Sequence, residues 1–235
     1  MSMVNTAIDQ DSQPGSSERW GFVAGLAFVG VLAYWISGWF PYQILNTDAG
    51  IRSFYQDDPS GVRTFLPAVL LGPGCLLFVW FLAALVRVLR RAQGGPGILP
   101  WVAFSGGIAC VVLLLAANAA YASVASAGRF MPTFQLDLSV ARVFSALSHF
   151  LGTQAGVAGS IVAGATAIIA FRSGLPRWYA WTSAVVAALS ALTVMLIVPL
   201  FAFVGWIALT AIVLLLRSPS KTSAMAHEAG AAQLR

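Results

Sequence analysis

The sequence predicts an all-α fold, a polytopic transmembrane helix bundle of six spans, and three observations carry that prediction. Hydrophobic side chains make up 59% of the 235 residues and charged ones only 9%, with a mean hydropathy of +0.82, more apolar material than one water-soluble core of this size could conceal. Uncharged runs recur at lengths that suit a hydrocarbon layer of about 30 Å at about 1.5 Å per helical residue. The basic residues gather at the ends of those runs rather than along one face. A net charge of +5 therefore reads as a topology signal and not as a nucleic-acid surface.

Residues 1–19 are polar and lack the basic start and small-residue cleavage site of a removable signal peptide, so they read as a short disordered cytoplasmic tail. The first span covers 21–40, 20 uncharged residues bracketed by Trp20 and by Trp39 and Tyr42, aromatics suited to the headgroup level. A polar loop with Asp48, Arg52, Asp57, Asp58 and Arg63 follows, its Asp58-Pro59-Ser60-Gly61 run carrying turn chemistry. The second span, 64–86, stops at Arg87, Arg90 and Arg91. Its Gly72-Pro73-Gly74 run is expected to bend or locally unwind the helix, because proline removes a donor and crowds the carbonyl four residues back. Gly94-Gly95-Pro96-Gly97 reverses the chain into a third span, 98–122.

A second polar loop carries Arg129, Asp137 and Arg142 and leads to the longest apolar helix, 143–171, 29 residues without a charge. Here Gly152, Gly156, Ser160 and Gly164 recur every fourth residue, beside a second row of Ala155, Gly159, Ala163 and Ala167. In lipid such smooth faces let neighbouring helices approach closely and gain dispersion contact. This fourth span is expected to be central, with Gly156 and Gly159 less tolerant of a large side chain than Gly21. From Trp178 to Leu216 run 39 uncharged residues, about 58 Å as helix and too long for one span. Pro199 divides them into spans at 178–198 and 200–216, and 218–235 reads as a second disordered cytoplasmic tail.

With both termini in the cytoplasm, nine of the thirteen basic residues fall inside (Arg19, Arg87, Arg90, Arg91, Arg172, Arg177, Arg217, Lys221 and Arg235) and four outside. Five spans would weaken that bias, so the count favours six and a multi-pass plasma-membrane protein.

The junction Arg172-Ser173-Gly174-Leu175-Pro176-Arg177-Trp178, with the apolar run after it, resembles a broad family of bacterial six-span membrane proteins common in actinobacteria, which carry a similar Ser-Gly-x-x-Pro-like reversal before a late span. The Ala, Gly, Val and Arg content with a single Lys also suits a high-GC organism. The resemblance implies a six-span layout and supplies no activity or catalytic residue.

His149 is the one ionisable side chain placed within the hydrocarbon region, a functional-site hypothesis that competes with simple interhelical hydrogen bonding. It shares a helix face with Thr153. Asn118 and Tyr121, three apart on the third span, map to the same outer half, so these four are the candidate lining of an outward-facing pocket. Gly152, Gly156, Gly159, Ser160 and Gly164 are assigned to helix packing. Cys75 and Cys110 lie at similar depth on neighbouring spans and read as small hydrophobes rather than a redox pair or metal site. All eight acidic residues are assigned to tails or loops, so neither a carboxylate relay nor a catalytic constellation is visible, and no cofactor or metal is indicated. The leading expectation is a non-catalytic protein that binds a partner protein or a small or lipid-like ligand through the outer half of the bundle. A small transporter or channel subunit is the alternative, and an intramembrane enzyme comes third. Expected partners are the lipid bilayer and either another membrane protein or a second copy of the chain.

Overall fold

A computed structural model describes residues 16–39, 47–56, 65–95, 97–131, 133, 135–173, 175–192 and 198–217. Every regular element among them is helical: α1 (Ser16–Trp39), α2 (Asp48–Gln56), α3 (Phe65–Gln93), α4 (Leu99–Phe130), α5 (Leu138–Arg172), α6 (Arg177–Leu192) and α7 (Val198–Arg217). Four stretches are long and apolar enough to cross a membrane, Ser17–Ser37, Phe65–Gln93, Leu99–Gly128 and Leu138–Arg172, and Leu200–Leu216 is a shorter apolar helix. Both tails and the Asp58–Gly61 turn lie wholly or largely outside the described residues.

The long helices alternate in direction. Gly21 of α1 faces Ala84 of α3, Gly25 faces Phe81 and Gly74 faces Val31, which makes α1 and α3 antiparallel. α4 runs against α5, with Gly106 set over Ile161 and the Ala158 carbonyl. One end of the bundle therefore collects the starts of α1, α4 and α6 and the ends of α3, α5 and α7. This is the arginine end, with Arg87, Arg90, Arg91, Arg172 and Arg177. The other is covered by α2 and is called the capped end below.

α5 packs against α2, α3, α4, α6 and α7, and its contact with α4 is the most extensive in the molecule. Its two rows of small residues serve different neighbours. A Cβ at Gly159 would meet the Phe203 ring of α7 at 2.6 Å, whereas one at Gly164 would meet only the Ala187 methyl of α6 at 3.7 Å. Gly152 and Gly156 are buried and Ser160 is half-buried. Phe203 continues an aromatic ladder through the core, stacked on Trp206 at 5.7 Å and edge-on to Phe78 at 6.1 Å, while Phe78 stacks on Phe28 at 4.7 Å. This joins α1, α3 and α7 through stacked and edge-on rings.

The long uncharged stretch after Arg177 forms an antiparallel hairpin of α6 and α7. Tyr179 pairs with Thr210 across it (3.1 Å), and the Trp206 indole donates to Ser183 (2.9 Å), all four side chains being buried. Pro199 sits in the first turn of α7, where no intrahelical donor is required.

Three expectations need correction. α3 is not unwound at Gly72-Pro73-Gly74 but continues through it as one helix; Pro73 is on the exposed side, next to open space at Gly72, so its ring stands at the outer surface of the bundle. Gly21 is not a tolerant site, because a Cβ there would meet the Ala84 methyl. Glu18, assigned to a tail, lies in the first turn of α1, is 1% exposed and pairs with Arg91 at 2.9 Å. Helix ends also move: the third span extends to Phe130 and the fourth begins at Leu138, where Asp137 accepts from the Ser139 and Val140 amides as an N-cap.

Candidate functional site

The capped half concentrates the polar candidates. On α4, Asn118 and Tyr121 stand one turn apart and both engage Trp35 of α1. The Trp35 indole donates to Asn118 Oδ1 at 2.9 Å, and its ring meets the edge of Tyr121 with centroids 6.2 Å apart. Asn118 Nδ2 donates in turn to the Ala68 carbonyl of α3 at 2.9 Å. One amide thus ties three helices together, and its described hydrogen bonds point to α1 and α3 rather than to α5.

His149 and Thr153 also stand one turn apart, on α5. His149 is half-buried, and Thr153 is 2% exposed with its hydroxyl donating to the Phe150 carbonyl of its own helix (2.7 Å). Beside them lies Ser148, 1% exposed, whose buried Oγ has no hydrogen-bond partner among the described residues. Equal counts along the antiparallel pair, starting from the contact of Gly106 with Ala158 and Ile161, bring Ser148 and His149 level with Asn118. By the same count Asn118 and His149 share a level, whereas Tyr121 lies about one turn nearer the capped end and Thr153 about one turn farther from it; Asn118 and Tyr121 gather around Trp35, and His149 and Thr153 are carried on the neighbouring helix.

Above this level sits α2, an element hidden in what reads as a polar loop. Thr47 caps it, accepting the Gly50 amide on Oγ1 at 3.0 Å, and Ile51, Phe54 and Tyr55 fall on one face. Ile51 is packed with Val124 of α4 and Ala141 of α5, and the Phe54 ring meets Tyr121 at 6.3 Å. Arg142 at the start of α5 pairs with Asp48 at the start of α2, both largely exposed. The legible signal was the apolar spacing of 51, 54 and 55 behind a Thr-Asp start; Trp35 carried none, since a tryptophan in an apolar run reads as packing.

Burial pushes the Tyr55 phenol up to about 12. The unfolded chain, with a phenol near 10, ionises first, so the Tyr55 contribution to stability is whole below pH 10 and is lost as pH rises through 12. In Tyr55→Phe, thermal unfolding should lose that alkaline component while keeping the neutral-pH midpoint within a few degrees. An unchanged alkaline profile would show that the phenol is not buried under α2.

Thr166 Oγ1 on α5 is a second buried hydroxyl without a partner among the described residues. Cys75 and Cys110 are buried free thiols in the main core. Among the described residues no three His, Cys, Asp or Glu side chains converge in a way that could hold a metal ion. No protein-family model, curated protein or solved structure matches the chain.

Proposed function

We propose that the chain is a bacterial plasma-membrane protein of six spans, with both termini cytoplasmic, that binds a small or lipid-like ligand in the capped half of the bundle, on the outer side. The observation that carries this reading is Ser148, a buried hydroxyl without a partner among the described residues, at the depth of Asn118 and His149. In an apolar interior an unmade hydrogen bond costs about 1–3 kcal/mol, and a ligand oxygen or amide between α4 and α5 would recover it. The α6–α7 hairpin supports the fifth and sixth spans, and the arginine end supports their orientation. The resemblance at the Arg172–Trp178 junction agrees with that layout. The transporter or channel alternative would draw on a break at Gly72-Pro73-Gly74 and on the basic inner rims; the helix continues through that run, and the basic rim at the arginine end stays compatible with it.

Native mass spectrometry of the detergent-purified protein tests the ligand. The wild type should retain a small molecule of defined mass. Ser148→Ala and His149→Ala should lower its retention several-fold, and His149→Gln, which keeps a donor and an acceptor, should retain most of it. A wild type that carries no mass beyond detergent and bulk lipid would end the ligand reading, as would identical retention in all the variants. Cysteine labelling tests the layout independently, with Ser53 reached from outside and Gln93 and Ser218 only from inside. Labelling of Ser218 from outside would remove the six-span arrangement.

A further inference from the structure

At the arginine end, α3 leaves its apolar stretch at Val86 and presents three guanidinium groups in its last two turns, at Arg87, Arg90 and Arg91. They are not equivalent. Arg91 is neutralised by Glu18, whose carboxylate is 1% exposed and held at 2.9 Å. Among the described residues Arg87 reaches a neutral hydroxyl, Ser17 Oγ, at 3.4 Å, and forms no ion pair. Arg90 carries its Cζ over the Trp101 indole in the first turns of α4, 4.3 Å from the ring centroid, and forms no ion pair among the described residues. A cation–π contact satisfies none of the guanidinium N–H donors, so they stay available to an anion.

The apolar surroundings are open. Trp101 is 55% exposed and Ile98, beside it, 74%. Such side chains at the end of a membrane helix lie at headgroup depth, with the hydrocarbon boundary on one side and charge on the other. Two cations without a carboxylate partner among the described residues, an exposed indole and an exposed isoleucine thus share one helical hairpin, α3–α4.

The geometry points to this hairpin as a binding site for the headgroup of an anionic phospholipid, its phosphate on the edges of Arg87 and Arg90 and its upper chain against Trp101 and Ile98. The only carboxylate described at this patch, Glu18, is already committed to Arg91, so the charge left over favours an anion. A zwitterionic headgroup would bring its own ammonium into the same positive field and gain much less. The assignment rests on the chain lying in a membrane and is independent of the ligand in the capped half.

The test uses the full-length protein in mixed micelles holding equimolar phosphatidylglycerol and phosphatidylcholine of the same chain length, with retained lipid counted by native mass spectrometry. The wild type should retain phosphatidylglycerol in preference. Each of Arg87→Gln and Arg90→Gln should lower that preference by about fivefold, the factor that corresponds to about 1 kcal/mol per basic residue near an anionic surface. Arg142→Gln, at the capped end, should leave it unchanged. Raising salt should erode the wild-type preference as the charges are screened, a reading that needs no variant to fold. Equal retention of the two lipids by the wild type would overturn the assignment. So would a preference that survives both substitutions at the arginine end, or one that high salt leaves intact.

Discussion

Gly159→Leu should unfold in detergent far below the wild-type temperature, with a loss of at least about 3 kcal/mol, the upper part of the range for overpacked cores. The reason is local and severe. A first side-chain carbon at Gly159 would fall 2.6–2.7 Å from three atoms of the Phe203 ring, including Cγ at its root, so rotating the ring does not clear it. Nor can Phe203 withdraw, since it is held between Trp206 and Phe78. The substitution must push α7 off α5 and open the aromatic ladder that also joins α1 and α3. Gly205→Leu, on the exposed side of α7 with no atom within 4 Å of the added Cβ, is the matched control. It should keep or raise the unfolding temperature, because leucine is the better helix former by somewhat under about 1 kcal/mol. Similar midpoints for the two variants would show that α7 is not docked on α5 through Gly159.

The second large effect belongs to Asn118. Asn118→Leu removes the acceptor used by the Trp35 indole, which is fully buried, together with the donor to the Ala68 carbonyl. A hydrogen bond contributes about 0.5–1.5 kcal/mol net and its loss at a buried group costs more, although interhelical bonds within membranes average nearer 0.6 kcal/mol. A total loss of about 1–3 kcal/mol follows, concentrated in the joint among α1, α3 and α4. The informative measurement is a double-mutant cycle with Trp35→Phe, read by thermal or denaturant unfolding. The pair should interact by at least about 0.5 kcal/mol, the first substitution having already removed what the second would remove. Strict additivity would mean that the indole–amide bond contributes nothing.

Both predictions rest on partners that the linear chain does not name. The repeat of small residues from Gly152 to Gly164 makes a close-packed helix legible, since four-residue spacing puts them on one face whatever lies opposite. It cannot say that Gly159 meets a ring and Gly164 a methyl group, a difference that separates an intolerant site from a permissive one. Gly21 shows the same gap: an isolated glycine in an apolar run looks replaceable until Ala84 is seen against it. Asn118 and Tyr121 are legible as polar groups one turn apart, while Trp35, which organises them, is masked by an apolar stretch. Ser148 was passed over beside His149 because a serine in a helix is ordinarily satisfied by its own backbone.

Composition, the length of uncharged runs and the placement of arginines by themselves determined that this chain is helical, that it has helices long and apolar enough to cross a membrane, four among the described residues, and that basic residues collect at one end. Those properties follow from the cost of carrying unpaired backbone groups and charges into hydrocarbon, which each segment meets on its own. Only the tertiary structure decided that Glu18 is a buried partner of Arg91, that a loop folds into α2 over the capped end, and that α3 passes Pro73 without a break. Each of these depends on which surface lies across the gap, and in lipid, where apolar faces gain little merely by meeting, that choice falls to shape and to a few hydrogen bonds between residues far apart in the chain.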